Sequence, residues 1–217
     1  MKKFFSFINS GLLWLFGILI IIASWVVHFV FLVMYPMKIE GKKNLKKAKG
    51  AVVACNHYSN LDGVLLCAKV FRFPYSRKLL AKKELSKNRF FGWVLKGIGA
   101  IFIDRNSLDR EAMREADKNL KKGKKLIVFP EGTRNKNQET EDMGEVKSGV
   151  IFFAKKASVP IIPMRIVHRS KMFKRNKLVI GEPYFVGETG KKSTEEEVKI
   201  LTEKMNSLAT ETPSQNK

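Results

Sequence analysis

A chain of 217 residues has room for one domain of ordinary size and hardly for two. Apolar residues make up 45% and charged residues 28%, which excludes a wholly disordered or collagen-like chain; two cysteines, Cys55 and Cys67, are too few for a disulfide framework and fit a reducing, cytosol-facing setting. Against 20 Asp and Glu stand 41 Lys and Arg, a formal charge of +21, and such a surplus implies a polyanionic partner: nucleic acid, anionic lipid or an acidic carrier protein.

The amino terminus separates these candidates. Residues 4–37 contain no Asp, Glu, Lys or Arg, and their centre, residues 11–27, is apolar nearly all round. Lys2 and Lys3 supply the positive start of a signal peptide, but the apolar part is too long for one and no small-x-small cleavage site follows. As a single helix the stretch would reach roughly 51 Å, well beyond a hydrocarbon core of about 30 Å, whereas two complete spans need roughly 40 residues and a turn. Lys2 and Lys3 precede it, and Lys38, Lys42, Lys43, Lys46 and Lys47 follow, so both flanks favour the cytoplasmic side. An in-and-out pair of short helices, the second ended by Pro36, satisfies both flanks and is preferred to one tilted span. Either arrangement binds the chain to a membrane, with the basic body against an anionic leaflet. The expected division is a membrane-anchoring helical segment at 1–37, a single folded domain at 38–209 and a flexible tail at 210–217.

The body alternates strands and helices. Ala51-Val52-Val53-Ala54-Cys55 reads as a buried strand, residues 61–70 as a helix, 78–81 as a strand, 90–98 as a helix and 100–104 as a strand. Ser107 is placed to cap a helix in which Leu108, Ala112, Ala116 and Leu120 recur every four residues, with Gly123 as its left-handed stop. Residues 126–129 read as the next buried strand, 149–157 as a helix, and 161–167 and 177–180 as strands. A last helix starts at Thr194 with Glu197 three residues on, a capping box, and buries Val198, Leu201, Met205 and Leu208. This order predicts a single α/β domain with a largely parallel or mixed sheet flanked by helices.

In such sheets ligands collect beyond the carboxyl ends of strands, so the residues at each strand exit matter most. The first exit carries Asn56-His57-Tyr58-Ser59-Asn60-Leu61-Asp62, the next Asp104-Arg105, and a third Pro130-Glu131-Gly132-Thr133-Arg134. His57 and Asp62 on one helix would stand about 140° apart, so they meet only if His57 ends the strand and Asp62 lies in the first helical turn. Asp62 would then fix the imidazole tautomer and leave the other nitrogen as a base. Taken alone, the same residues also make an ordinary helix start capped by Ser59, with His57 idle. At Gly132 the backbone can approach a ligand, and the amides of Gly132 and Thr133 can point at an oxyanion. Arg134 can grip a phosphate in a bidentate fork, with Arg105 as a second clamp; the plain alternative is a solvated turn.

Taken together and in order, Asn56-His57-x4-Asp62, Phe102-Ile103-Asp104-Arg105, Phe129-Pro130-Glu131-Gly132-Thr133-Arg134 and Val159-Pro160-Ile161-Ile162-Pro163 closely resemble the glycerolipid acyltransferase family, within it the bacterial 1-acylglycerol-3-phosphate acyltransferases. The resemblance runs from about residue 38 to 183, and Lys147-Ser148-Gly149 looks like the family's Lys-x-Gly. Residues 135–145 depart from it, being rich in Asn, Gln and Glu, and carry no role beyond a loop. The resemblance implies an enzyme that moves an acyl chain from a thioester, acyl-CoA or acyl carrier protein, to the sn-2 hydroxyl of lysophosphatidic acid, yielding phosphatidic acid for phospholipid synthesis. It implies catalytic roles for His57 and Asp62, and acceptor-phosphate binding by Arg105, Glu131, Gly132, Thr133 and Arg134, with Glu131 orienting the loop. Val159, Pro160, Ile161 and Pro163 would line the acyl chain or support the loop. Direct transfer needs no acyl-enzyme, so Ser59 and Cys55 are not nucleophiles; no cofactor and no metal are implied, and the catalytic domain would sit on the cytoplasmic side of the cell membrane.

Two other classes fit less well. A zinc site drawn from Cys55, His57 and Cys67 with His28 or His168 matches no structural zinc spacing and lacks an assigned fourth ligand. A membrane-tethered polyanion binder would explain the charge and little else: no aromatic RNA-binding signature or helix-turn-helix spacing is present, so nucleic acid is not expected as a partner.

Overall fold

The computed structural model describes residues 29, 33–71, 76–104, 107, 109–134, 143–188, 190 and 192–210. The hairpin and single-span readings concern residues 4–37, of which only 29 and 33–37 are described; residues 1–28, Arg105, residues 135–142 and residues 211–217 lie outside the described residues. Among the described residues no helix is long and apolar enough to cross a membrane.

The central strands form from short apolar runs in which every position is buried, as a sheet covered on both faces requires, while the strands toward the edges are only partly buried. The strands are β1 (Met37–Glu40), β2 (Ala51–Cys55), β3 (Arg77–Lys82), β4 (Ala100–Ile103), β5 (Lys125–Val128), β6 (Ile161–Ile166) and β7 (Asn176–Ile180), arranged in one sheet in the order β1-β7-β6-β2-β5-β3-β4. From β2 to β6 the strands run parallel; β7 turns back antiparallel to β6 and β1 runs parallel with β7, so the sheet is mixed. The helices are α1 (Asp62–Lys69), α2 (Arg89–Gly97), α3 (Arg110–Lys121), α4 (Gly149–Ala157) and α5 (Thr194–Thr210).

Alternation along β2 assigns the two faces. Val52 and Ala54 join Leu126, Val128 and Ile161 in a core covered by α3, α4 and α5, while Ala51, Val53 and Cys55 join Ile127, Ile162 and Met164 beneath α1 and α2. The result is one three-layer α/β domain with β2 near its middle.

Four local features differ from the sequence expectation. Met37–Glu40 forms β1, a four-residue edge strand whose positions are all at least partly exposed, so it leaves no apolar run to read. Asp109, not Ser107, caps α3, its Oδ1 accepting from the Ala112 amide at 3.0 Å while Oδ2 accepts from the Asp104 amide at 3.1 Å. The capping box of α5 sits one residue early: the Ser193 hydroxyl accepts from the Glu196 amide and the Glu196 carboxylate accepts from the Ser193 amide. Glu197 is buried instead, its Oε1 taking the Gly187 amide at 2.8 Å.

Candidate active site

The parallel strands β2, β3 and β5 deliver their exits to one end of the sheet, where a cleft of about 360 Å³ opens. His57, two residues beyond β2, borders it, and Asp62 is the first residue of α1. Their meeting requires the tight turn between them, and Asp62 itself makes that turn. Its Oδ2 accepts from the amides of Tyr58 at 2.7 Å and Ser59 at 2.6 Å, and from His57 Nδ1 at 3.1 Å. The plain reading of a helix start and the catalytic reading therefore describe the same carboxylate. Asp62 is 0% exposed while the His57 side chain is 18% exposed, so the acid stands behind the imidazole and the imidazole faces the cleft. With Nδ1 turned to Asp62, Nε2 is the nitrogen left on the cleft side.

Three residues outside this pair set the imidazole's position. Asn56 makes two hydrogen bonds to one residue: its Nδ2 donates to the Ile166 carbonyl at 2.9 Å and its Oδ1 accepts from the Ile166 amide at 2.7 Å. A side chain thus continues the β2–β6 ladder one step beyond the strand. The Phe129 ring stacks on His57 with centroids 4.1 Å apart and planes 19° from parallel. Glu131, buried, accepts the His57 backbone N–H at 2.9 Å through Oε1 and the Gly144 N–H at 3.1 Å through Oε2. Burial pushes its carboxyl above the ordinary glutamate range, against those two donated hydrogen bonds and the pull of Arg165. Glu131 thus ties the β2 exit to residues 143–147 and does not border the cleft.

The turn after β5 is bent by Gly132, whose φ of 70° suits glycine. Its amide donates to the Phe129 carbonyl at 3.1 Å, so it closes the turn and does not point at an oxyanion as the sequence suggested. Thr133 and Arg134 border the cleft beside His57. A Cβ at Gly132 would stand 3.3 to 3.5 Å from the last carbons and Nζ of Lys147, so this ammonium lies over the same turn. In the sequence Lys147 stands out only as part of Lys147-Ser148-Gly149, which carries no stated role.

The four residues expected to line the acyl chain or support the loop are elsewhere. Ile161 pairs with Val52 at the start of β6, Val52 donates to the Pro160 carbonyl at 3.0 Å, and Val159 packs on the core under α4. Pro163 borders a different cavity, between β1, β7 and α5. None of the four borders the His57 cleft, because β6 runs parallel to β2 and its first residues lie toward the opposite end of the sheet. Their part is structural. The apolar wall of the cleft comes instead from Val64 of α1, Leu79 of β3, Leu85 beyond it, and Phe91 and Leu95 of α2. A cationic and hydroxyl rim thus stands beside an apolar wall, which is the shape of an amphiphile.

Cys55 is fully buried in β2. Burial first, then the Asp62 and Glu131 carboxylates, hold its thiol well above the ordinary cysteine range, which removes the thiolate a nucleophile would need. Among the described residues no three His, Cys, Asp or Glu side chains are grouped to hold a metal ion.

Comparison with known proteins agrees with this geometry. The Acyltransferase family model matches residues 36–167, a stretch that contains His57, Asp62, the Glu131 turn and all of β6. The chain belongs to the acyltransferase family. Among its relatives is the 1-acyl-sn-glycerol-3-phosphate acyltransferase of Bacillus subtilis, 31% identical over 175 residues, covering 78% of this chain and 84% of the relative. The protein of the same name from Saccharomyces cerevisiae is 32% identical, covering 63% of this chain and 44% of its own. The crystal structure of the 1-acyl-sn-glycerophosphate acyltransferase of Thermotoga maritima superposes with a TM-score of 0.65 at 27% identity, over 84% of this chain and 75% of that one. As a member of this family the chain is an acyltransferase with a mixed seven-stranded α/β domain.

Proposed function

We propose that this acyltransferase moves an acyl chain from a thioester of CoA or acyl carrier protein to the sn-2 hydroxyl of 1-acyl-sn-glycerol 3-phosphate, making phosphatidic acid for phospholipid synthesis on the cytoplasmic side of the cell membrane. The observation that carries this reading is the 3.1 Å contact between His57 Nδ1 and a fully buried Asp62, at the edge of a cleft with a cationic rim and an apolar wall. The names of the relatives supply the acceptor.

Nε2 of His57 takes the proton of the acceptor hydroxyl as its oxygen attacks the thioester carbonyl. Asp62 holds the ring and stabilises its cationic form. The tetrahedral oxyanion collapses by breaking the C–S bond, and the imidazolium returns its proton to the departing sulfur, so a free thiol and an ester result. Arg134, with Thr133 and the Lys147 ammonium near the Gly132 turn, holds the acceptor phosphate; Arg105, in the family's second motif, is proposed as a further clamp. The acyl chain lies against Leu85, Phe91 and Leu95.

The test is thiol release from acyl-CoA and from acyl carrier protein over a panel of lysolipids. His57→Ala should abolish transfer in a folded chain, and turnover at the unmodified rate would reject His57 as the base. Arg134→Ala should raise the acceptor KM about tenfold or more with little change in donor KM; unchanged acceptor kinetics would reject the phosphate grip.

A further inference from the structure

Large apolar side chains left in water are informative when they gather around one feature. Here two such groups flank the cleft. On one side, α2 turns Leu95 inward and Phe91 toward the cleft, yet its outer face carries Phe90, 73% exposed, and Trp93, 64% exposed. Arg89 and Lys96, also exposed, share that face at helical spacing, and Lys83 and Lys87 precede the helix. On the other side, the β6–β7 loop exposes Met172, at 44%, and Phe173, at 69%, among exposed Arg169, Lys171, Lys174 and Arg175. Acids are sparse here: none occurs in residues 85–103 or 167–181, and Glu84, between Lys83 and Lys87, is paired with Lys82 at 3.1 Å.

Both groups stand at the end of the sheet where His57 lies. Ile166, the last residue of β6, is bonded to Asn56, and α2 follows the exit of β3, with Leu85 and Phe91 bordering the cleft. The β6–β7 loop is also held rigidly. The Phe173 amide donates to the Met34 carbonyl at 2.7 Å, and Asn176 ties Lys171 to the Pro36 carbonyl through its side chain and backbone. Its apolar tip is therefore fixed beside the point where the uncharged stretch 4–37 joins the domain.

We infer that these two rims are membrane-docking surfaces: Phe90 and Trp93 on one flank and Met172 and Phe173 on the other enter an anionic leaflet, seating the cleft mouth on the lipid from which its acceptor comes. Aromatic rings set among lysines and arginines, with few acids between them, are the pattern of an interfacial element; the rings occupy the headgroup boundary and the cations meet lipid phosphates. A flat bilayer touches both flanks at once and is continuous with the amino-terminal apolar segment. An acidic carrier protein matches the charge as well, and is the competing outcome of the test. The inference rests on the lipid substrate proposed above, but is measured without turnover.

The chain has 3 tryptophans, Trp14, Trp25 and Trp93. In full-length protein carrying Trp14→Phe and Trp25→Phe, Trp93 alone reports its surroundings. Reconstituted on phosphatidylglycerol vesicles, it should shift to the blue, lose about half its emission to lipids brominated on the acyl chain, and resist aqueous iodide. On phosphatidylcholine vesicles the shift should be absent or much reduced. A second reporter, Phe173→Trp with all three native tryptophans changed to Phe, should behave alike. Iodide access to either reporter on anionic vesicles, equal to that in a lipid-free detergent sample, would overturn the proposal. Protection of Trp93 by acyl carrier protein but not by vesicles would assign the surface to the carrier. A chain that docks but fails to acylate lysophosphatidic acid would leave the docking surface standing and remove the proposed function alone.

Discussion

Asp62 does two jobs at once, and the number of hydrogen bonds it accepts shows why an isosteric change separates them. Its Oδ2 holds the Tyr58 and Ser59 amides and His57 Nδ1 together, with no part of the side chain in water. In Asp62→Asn the amide oxygen can still close the turn, so the fold should survive. What disappears is the negative charge that favours a cationic imidazole. The expected result is a kcat lower by about 10²–10³-fold with a near-native circular dichroism spectrum; unchanged kcat in the folded variant would show that Asp62 serves the turn alone. Glu131 gives a second residue-scale test, this time through pH. Its carboxyl is raised by burial, so the folded state binds its proton more tightly than the unfolded chain does. The stability it contributes is then fully present at low pH and is lost as pH rises from the ordinary glutamate value through the raised one. Relative to Glu131→Gln, which cannot ionise, the wild type should lose melting temperature across that window and run parallel above it. A difference curve that rises with pH there would contradict the burial argument.

Among the secondary-structure elements, the exit of β2 matters most, because the pairing of β2 with β6 and β5 decides where His57 ends up. Asn56 extends that pairing by one residue with a side chain, and its removal leaves the Ile166 amide and carbonyl buried without those partners. Asn56→Ala should cost about 2–6 kcal/mol of stability, taking about 1–3 for each orphaned group, and should lower kcat in whatever fraction remains folded. A cost under about 0.5 kcal/mol by denaturant titration would mean that another group replaces the clamp. The clamp also marks the limit of what the sequence discloses. The buried runs of β2, β5 and α4 are legible because each is apolar and bounded by turn residues, and His57 with Asp62 is legible because a strand end followed by a helix start is the arrangement that lets that spacing meet. Asn56, Phe129 and Glu131 stand inside the motifs, and Glu131 is expected to orient its loop, but they act through distant partners, Ile166, His57 and Gly144, so no local pattern shows the contacts themselves. Helix caps fail for a different reason. Ser107 and Asp109, or Ser193 and Thr194, are neighbouring residues of similar capping ability, and the direction of the incoming chain chooses between them.

At the scale of the whole molecule, the sheet has two unlike ends. The carboxyl ends of β2, β3 and β5 gather the charged and hydrogen-bonding side chains, while the start of β6 places Ile161 in the core with Val159 packed against it, and Pro163 borders the cavity between β1, β7 and α5. A chain lying in the cleft would meet Leu85, Phe91 and Leu95 and never Ile161. Selectivity for acyl length and stability of the domain should therefore separate on substitution. Phe91→Ala removes a half-buried ring from the cleft wall while its amide keeps its bond to the Asn88 cap. It should shift the preference between donors two methylenes apart roughly tenfold toward the longer, since each buried methylene is worth about 0.8 kcal/mol. Ile161→Ala, by contrast, opens a cavity in a fully buried site and should cost about 2–5 kcal/mol in denaturant unfolding while leaving the ratio of kcat/KM values for those donors unchanged. Competition between the two acyl-CoAs in one reaction reads the ratio directly. A shift caused by Ile161→Ala and not by Phe91→Ala would place the acyl chain at the other end of the sheet and undo the assignment of the cleft.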